Sequence, residues 1–376
     1  MKKFKILYFT LEGNTNMAKW QRIHFFDELS RHGVEIVTLS GHKLSSWEEA
    51  NDVAIKMLKD GGYDLFFTAI CKKEQLFKDT LKEIKAIGIP SLCIRFDNLL
   101  IPYQDKELAP FFDLLWLTSI ETKRLYDRWG VRTVFAPYAA NPYFFKYLEK
   151  PFKREVCFIG TPYGSRTRMM NTLLSNEINL SLFYGNPNKK SQQKDVFNVA
   201  DCLPEVPYGK LNVFFDRIKT WEGRKLILGT FINKMKGNIT LLDNEHLTKN
   251  YSVPFEDICE LYSEYTLALA STSAVHTDIL TEPLKVINLR NFEIPMSGGI
   301  EICRYNQELS EYFVEDKEIV FYRTNEELVD KARYYTQKAP DGIIYAMKKA
   351  ARVRSEREHT WYNRFSKVLN ELSLNI

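Results

Sequence analysis

No D-x-D pair occurs anywhere in this 376-residue chain, so the usual acidic clamp for holding a metal on a diphosphate is missing. H-E-x-x-H and G-x-S-x-G are absent as well, which excludes the zincin helix and the nucleophile elbow. Cysteine is scarce: six residues with no C-x-x-C pair indicate neither a disulfide framework nor a zinc site. Cys93 and Cys157 fall inside strand-like apolar runs, as buried thiols do in a reducing cytosol. Charge of one sign is also lacking. Against 52 Lys and Arg stand 48 Asp and Glu, and a net charge of +4 is too small to argue for a nucleic-acid partner. No apolar run reaches the roughly 18 residues of a membrane span. MKKFKILYFTLEGN has only a short apolar run before Glu12, so it reads as a first strand rather than a signal peptide. The expectation is a cytoplasmic protein without internal repeats.

What is present is apolar and aromatic. Hydrophobic residues make up 45% of the chain, charged residues 27% and aromatics 14%, the balance of a globular protein with large cores. The length suggests two domains. Over the first 145 residues, six short apolar runs (FKILYFT, VEIVTL, DLFFTAI, PSLCIRF, FDLLWLT and RTVFAP) alternate with helix-like stretches at 16–32, 46–60, 75–87 and 120–129. Such alternation predicts βαβ units and a parallel, Rossmann-like sheet. The stretch 136–155 reads as a linker. A second α/β unit then opens with strand EVCFIG, turn TPYGS and a helix from about Arg166, followed by LSLFYG. Residues 186–250 are polar and broken by Pro and Gly, an elaboration of the second domain. Trp361, Phe365, Val368, Leu369 and Leu372 define one apolar face of a terminal helix, expected to cross back onto the first domain. The predicted division is 1–145 with 361–376, and 146–360. In such α/β pairs ligands bind beyond the carboxyl ends of the strands, in a cleft between the facing domains.

Five stretches there carry candidate chemistry. In NLRNFEIPMSGGIE (288–301), Arg290, Glu293 and Glu301 surround Gly298 and Gly299, and the two glutamates have the spacing E-x7-E. If KVINL is a strand, Asn291 to Gly299 form the loop at its end, and a following helix would offer its N-terminus to a phosphate. Glu301 on that helix would accept from ribose hydroxyls, and Glu293 would meet a sugar. An ordinary loop and helix N-terminus explain the same residues. FIGTPYGSRTR (158–168) repeats the strand, Gly-rich turn and helix pattern, and Arg166 there suits a diphosphate, or else is a surface arginine. Asp97 ends strand PSLCIRF as a candidate general base or a turn cap. Gly13 and Asn14 in LEGNTN are placed to touch a ligand, and His276 with Asp278 follows strand TLALA, where a structural histidine is the ordinary alternative. Basic residues between 347 and 367 could touch anionic headgroups at the inner face of the membrane, or line a solvated helix face.

NLRNFEIPMSGG, ELSEYF, KEIVFYRTNEELVDKARYY and EHTWYNRF together resemble the CgeB-type glycosyltransferases, of the spore-maturation-protein-B-like kind. APYAANP, RFDN and EVCFIG extend the resemblance over most of the chain outside 186–250. It implies a GT-B fold and transfer from a nucleotide-diphosphate sugar to a glycan or glycolipid acceptor in bacterial surface polysaccharide synthesis. It implies retention of configuration and no metal or other cofactor. Carried over by position, it implies Glu301 on the ribose, Glu293 on the donor sugar, Arg166 on the diphosphate and the Gly298–Gly299 amides on the phosphate or sugar. From their places in the loops, Arg290, Ser297 and His276 are also expected on the donor side, and Asp97, Gly13 and Asn14 on the acceptor side. Many members of that family lack the second glutamate, which bears on Glu301. A nucleotide-sugar 2-epimerase and a non-catalytic glycan-binding module are the alternatives of the same fold.

Overall fold

The computed structural model describes residues 3–10, 16–39, 44–96, 98–185, 209–237 and 239–376. They fall into two compact units. The first takes the described residues up to Pro137, those at 209–223, and Trp361–Ile376; the second takes the described residues from Tyr138 to 185 and Arg224–Thr360.

The first unit is built on a parallel sheet of β1 (Phe4–Phe9), β2 (Val34–Thr38), β3 (Leu65–Thr68), β4 (Ser91–Arg95), β5 (Leu114–Leu117) and β6 (Thr133–Phe135), in the order β2-β1-β3-β4-β5-β6. All six expected apolar runs are strands. They read as continuous runs because helices cover both faces: Ile6, Leu7, Tyr8 and Phe9 are all fully buried. Helix Trp47–Asp60 starts where the Ser46 side chain accepts from the Glu49 amide, and buries Trp47, Ala50, Ala54 and Leu58 at helical spacing.

The terminal helix, Trp361–Asn370, belongs to this unit. Phe365 packs its ring 5.1 Å from Trp116 and 5.2 Å from Phe67, centroid to centroid. The helix start is held by Glu28, whose carboxylate accepts from the amides of Trp361 at 3.2 Å and Tyr362 at 2.8 Å. An anion on the first-turn amides is favoured by the helix dipole. Trp361 Nε1 donates to His24 Nδ1 at 2.9 Å. His24 lies in a π-type turn, Arg22–Asp27, within the expected 16–32 helix.

The second sheet contains β7 (Lys153–Ile159), β8 (Leu180–Phe183), β9 (Leu247–Asn250), β10 (Tyr265–Leu269), β11 (Glu301–Arg304) and β12 (Val320–Tyr322), all parallel, in the order β12-β11-β10-β7-β8-β9. The order reverses between β7 and β10, so the loops after these two strands run in opposite directions and leave a crevice. The KVINL run is not a strand; only Lys285 there forms an isolated bridge, with Ser273. Within 186–250 the described part holds helices Lys210–Ile218 and Trp221–Met235 and the edge strand β9.

The basic residues of 347–367 do not form one exposed face. Lys348 is buried and donates to the Ser263 carbonyl at 2.6 Å. Buried Arg352 donates to the carbonyls of Phe145, Met296 and Pro142. Arg354 and Arg357 pair with Glu358, and Arg364 donates to the Pro137 carbonyl. These charges tie helices and loops together, while Lys349 and Lys367 remain exposed. Among the described residues, no helix is long and apolar enough to cross a membrane.

Candidate functional site

The turn after β7 is shaped by two glycines at positive φ, Gly160 at 136° and Gly164 at 53°. Both positions are closely approached by side chains from the segment that follows β10, Arg290 at a helix start and His276 in the preceding loop. A Cβ on Gly160 would lie 2.7 Å from Arg290 Nη2, and a Cβ on Gly164 would lie 2.6 Å from His276 Nδ1. Glycine is therefore required twice over, for backbone conformation and for space. The Gly160 amide donates to the Phe183 carbonyl at 2.9 Å, fixing the turn to β8.

Arg290 opens helix Arg290–Met296, and its position is set by Asn288. The Asn288 side chain accepts from the Arg290 amide at 3.1 Å and donates to the Ser271 carbonyl at 2.9 Å, tying the helix start to the loop after β10. The Arg290 guanidinium stands 5.9 Å from the centre of the Phe158 ring. Arg166, on helix Ser165–Leu174, stands 5.9 Å from the same ring and 4.6 Å from the Tyr163 ring. Two guanidinia thus converge on one phenyl ring at the crevice. Among the described residues, neither has a carboxylate within ion-pair distance. Burial first, and then the positive charge of Arg290, push the Arg166 guanidinium below its usual range. Among the described residues the arrangement lacks a counter-anion, and a diphosphate has the geometry for bidentate guanidinium contacts.

His276 lies beside this turn, with its ring 6.1 Å from Tyr163 and Nδ1 buried without a hydrogen-bond partner. Glu293 sits one turn into the Arg290 helix and is 4% exposed. Burial pushes the nearby Tyr262 phenol well above its usual range; the Arg290 charge opposes that shift and the Glu293 charge adds to it, so both act on that ring. Among the described residues, no group of three or more His, Cys, Asp or Glu side chains stands where a metal ion could be held.

The structure reverses the expected order of loop and helix in NLRNFEIPMSGGIE. The helix comes first, and Gly298–Gly299 close its C-terminus instead of opening an N-terminus. Gly298 at φ 70° donates to the Pro295 carbonyl, and Gly299 donates to the Ile294 carbonyl. Their amides are therefore committed to the helix end, and a Cβ on Gly298 would enter the Tyr147 ring. Ser297 is fully buried, with its hydroxyl on the Glu293 carbonyl at 2.8 Å. Glu301 begins β11 and is 1% exposed, with Oε1 accepting from Asn291 Nδ2 at 2.5 Å. Burial pushes its carboxyl up to about 7. The exposed first-turn carboxylate that the ribose role needed does not exist, nor does a phosphate site on the Gly298–Gly299 amides. Asp97, Gly13 and Asn14 lie outside the described residues. Asn98, next to Asp97, is buried and accepts from the amides of Thr118 and Ser119.

A family model described as glycosyl transferase-like matches residues 213–370, less than half of the chain. No curated protein sequence matches. Solved structures match over almost the whole length. An α-glucosyltransferase in complex with UDP and a DNA 13-mer aligns at TM-score 0.57 and 11% identity, covering 99% of this chain and 100% of its own. HepE of Anabaena in complex with UDP-glucose aligns at 0.53 and 12%, covering 98% and 99%. The α,α-trehalose-phosphate synthase of Burkholderia xenovorans in complex with glucose-6-phosphate aligns at 0.54 and 9%, covering 98% and 100%. The fold is that of the GT-B glycosyltransferases. Identities this low speak to fold alone.

Against that fold, sequence reasoning found Arg166, Arg290, His276 and the Gly160–Gly164 turn, which the structure gathers at the switch point between β7 and β10. It missed Asn288 and Tyr262. The Asn288 signal was readable, because an asparagine two residues before a helical residue often caps it. Tyr262 carried no such signal: its helix, Ile258–Glu264, buries it like any core aromatic.

Proposed function

We propose that the protein transfers a glycosyl group from a nucleotide-diphosphate sugar, with Arg166 and Arg290 holding the diphosphate. The observation that carries this reading is the pair of guanidinia converging on Phe158 without a carboxylate counterion among the described residues. Each charge-assisted hydrogen bond from such a group to a phosphate contributes about 1.5–3 kcal/mol. Negative charge grows on the diphosphate as the glycosyl bond breaks, so two fixed cations stabilise the transition state more than the bound donor. Metal-free transfer follows if the guanidinia supply this neutralisation alone. Glu293, on the helix that carries Arg290, would orient donor hydroxyls, and His276 would face the donor across the Gly164 turn. Asp97, Gly13 and Asn14 keep their proposed place on the acceptor side, with Asp97 as general base if the reaction inverts. Retention, and an acceptor in bacterial surface polysaccharide synthesis, complete the reading that the CgeB resemblance favours.

UDP is the first nucleotide to test, because the α-glucosyltransferase and HepE structures contain it. Calorimetric titration should give saturable binding, and Arg166→Ala and Arg290→Ala should each weaken it by about tenfold or more, one charge-assisted contact being lost. UDP release from a UDP-sugar that requires an added glycan acceptor would support transfer. Formation of an epimeric UDP-sugar without acceptor would replace transfer by epimerisation.

A further inference from the structure

A polar cavity of about 220 Å³ opens at the carboxyl ends of β10, β11 and β12. It is lined by Ser165 and Arg168 of helix Ser165–Leu174, by Ser271 and Ser273 after β10, and by Asp278 and Arg304. It differs from the Arg166–Arg290 site in both place and chemistry. Arg166 and Arg168 are two residues apart on one helix, so their side chains diverge by about 200° around its axis. Arg166 faces Phe158, whereas Arg168 faces Asp278.

The charges in this cavity are unbalanced in a specific way. Arg168 donates from Nε to Asp278 Oδ2 at 2.6 Å, with Nη2 2.5 Å from the same oxygen. That ion pair leaves Asp278 Oδ1 buried and without a hydrogen-bond partner. Arg304, at the end of β11, has no carboxylate within ion-pair distance among the described residues. Its backbone is fixed by the Thr272 hydroxyl, which donates to the Arg304 carbonyl at 2.9 Å. Ser165 and Ser271 face each other with their hydroxyl oxygens 3.4 Å apart, too far for a strong mutual bond. Among the described residues the cavity therefore holds an uncompensated cation, weakly engaged hydroxyl donors and a buried acceptor lacking a donor.

From this we infer that the cavity binds a phosphorylated sugar or similar polyol phosphomonoester. The phosphate would lie on Arg304 and accept from Ser165 and Ser271, using three oxygens where a carboxylate has two. A ligand hydroxyl would donate to Asp278 Oδ1 and relieve a buried acceptor that is otherwise costly to leave unpaired. The inference does not rest on the nucleotide reading, because no residue is shared with the Arg166–Arg290 pair.

The test is calorimetric titration with a hexose 6-phosphate and with inorganic phosphate, each with and without saturating UDP. Expected is saturable binding of the hexose phosphate that persists with UDP present and exceeds phosphate binding. Arg304→Met should weaken it by about tenfold or more, the loss of a charge-assisted contact, while UDP binding stays unchanged. Ser271→Ala provides a milder second variant, and the unfolding curves of both variants show whether the fold is kept. Three results would each overturn the inference: no binding of either anion, displacement of the hexose phosphate by UDP, or undiminished affinity in both folded variants. Equal affinity for the two anions would overturn the role of Asp278. Absence of UDP binding alongside retained hexose-phosphate binding would count against the proposed function and leave this site standing.

Discussion

Substituting Glu301→Gln separates the role that the E-x7-E spacing suggested from the role that burial assigns. Glu301 is fully enclosed, and its carboxyl is lifted from the ordinary 4.5 to about 7, with desolvation as the main cause and the contacts of Cys303 and Asn291 opposing it. In the unfolded chain the group ionises near 4.5. Between that pH and about 7, the unfolded state has released a proton that the folded state keeps. The stability linked to this group is full below 4.5, declines as pH rises, and is lost once pH passes about 7. The gap corresponds to about 3 kcal/mol at most. Glutamine keeps the acceptor for Asn291 and cannot ionise. The stability difference between variant and wild type should therefore swing toward the variant by up to about 3 kcal/mol between about pH 5 and pH 8. For a unit of this size that is a relative shift in Tm of roughly 6–10 °C. Thermal unfolding of both proteins across that range, with UDP titration near pH 7, reads both roles. Parallel curves at every pH, or loss of UDP binding without any pH-dependent change, would refute the structural role and restore the ribose contact.

Gly160→Ala should weaken UDP binding by about tenfold or more, because its Cβ would lie 2.7 Å from Arg290 Nη2 at a φ of 136°; unchanged affinity by calorimetry would contradict the placement of Arg290. Phe365→Ala should destabilise the first unit by about 3–5 kcal/mol, since the ring is fully buried against Trp116 and Phe67. Chemical denaturation measures it, and a loss below about 1 kcal/mol would mean that the terminal helix is not part of that core. Asp105→Ala should cost about 3–5 kcal/mol, because it strands the largely enclosed Arg95 guanidinium, 12% exposed and now held at 2.7 Å by the fully buried carboxylate, and removes the acceptor of Tyr126. Asp105→Asn should recover part of that loss in the same assay, whereas equal losses for both variants would contradict the ion-pair account.

All six strands of the first sheet, and β7, β8, β10 and β12 of the second, were legible because parallel strands buried on two faces leave unbroken apolar runs such as ILYF and LLWL, whereas β9, a half-exposed edge strand, and β11, expected to be a helix, were not. The terminal helix was legible from one apolar stripe. KVINL misled because an apolar run of strand length can equally be buried loop, and nothing within it reports whether a neighbouring strand is available to pair. Pro295 hid the helix Arg290–Met296, since proline inside a helix argues against one. All seven residues from Asn291 to Ser297 are buried, so no polar face marked its period. Once that helix is placed before the Gly-Gly pair, Glu301 moves from ligand to core and Arg290 moves onto Gly160. The convergence of Arg290 with Arg166 could not be read, because it depends on contact between loops distant in sequence. Within the basic stretch 347–367, charge content alone does not tell that Lys348, Arg352 and Arg364 face inward to backbone carbonyls.

The central claim is that Arg166 and Arg290 together form the diphosphate site. Calorimetric titration of the double variant Arg166→Ala/Arg290→Ala with UDP tests it most directly, alongside the two single variants and an unfolding curve for each. The account predicts folded protein with UDP affinity reduced by about a hundredfold or more, each lost contact removing about 1.5–3 kcal/mol. A folded double variant that binds UDP as tightly as the wild type would contradict it.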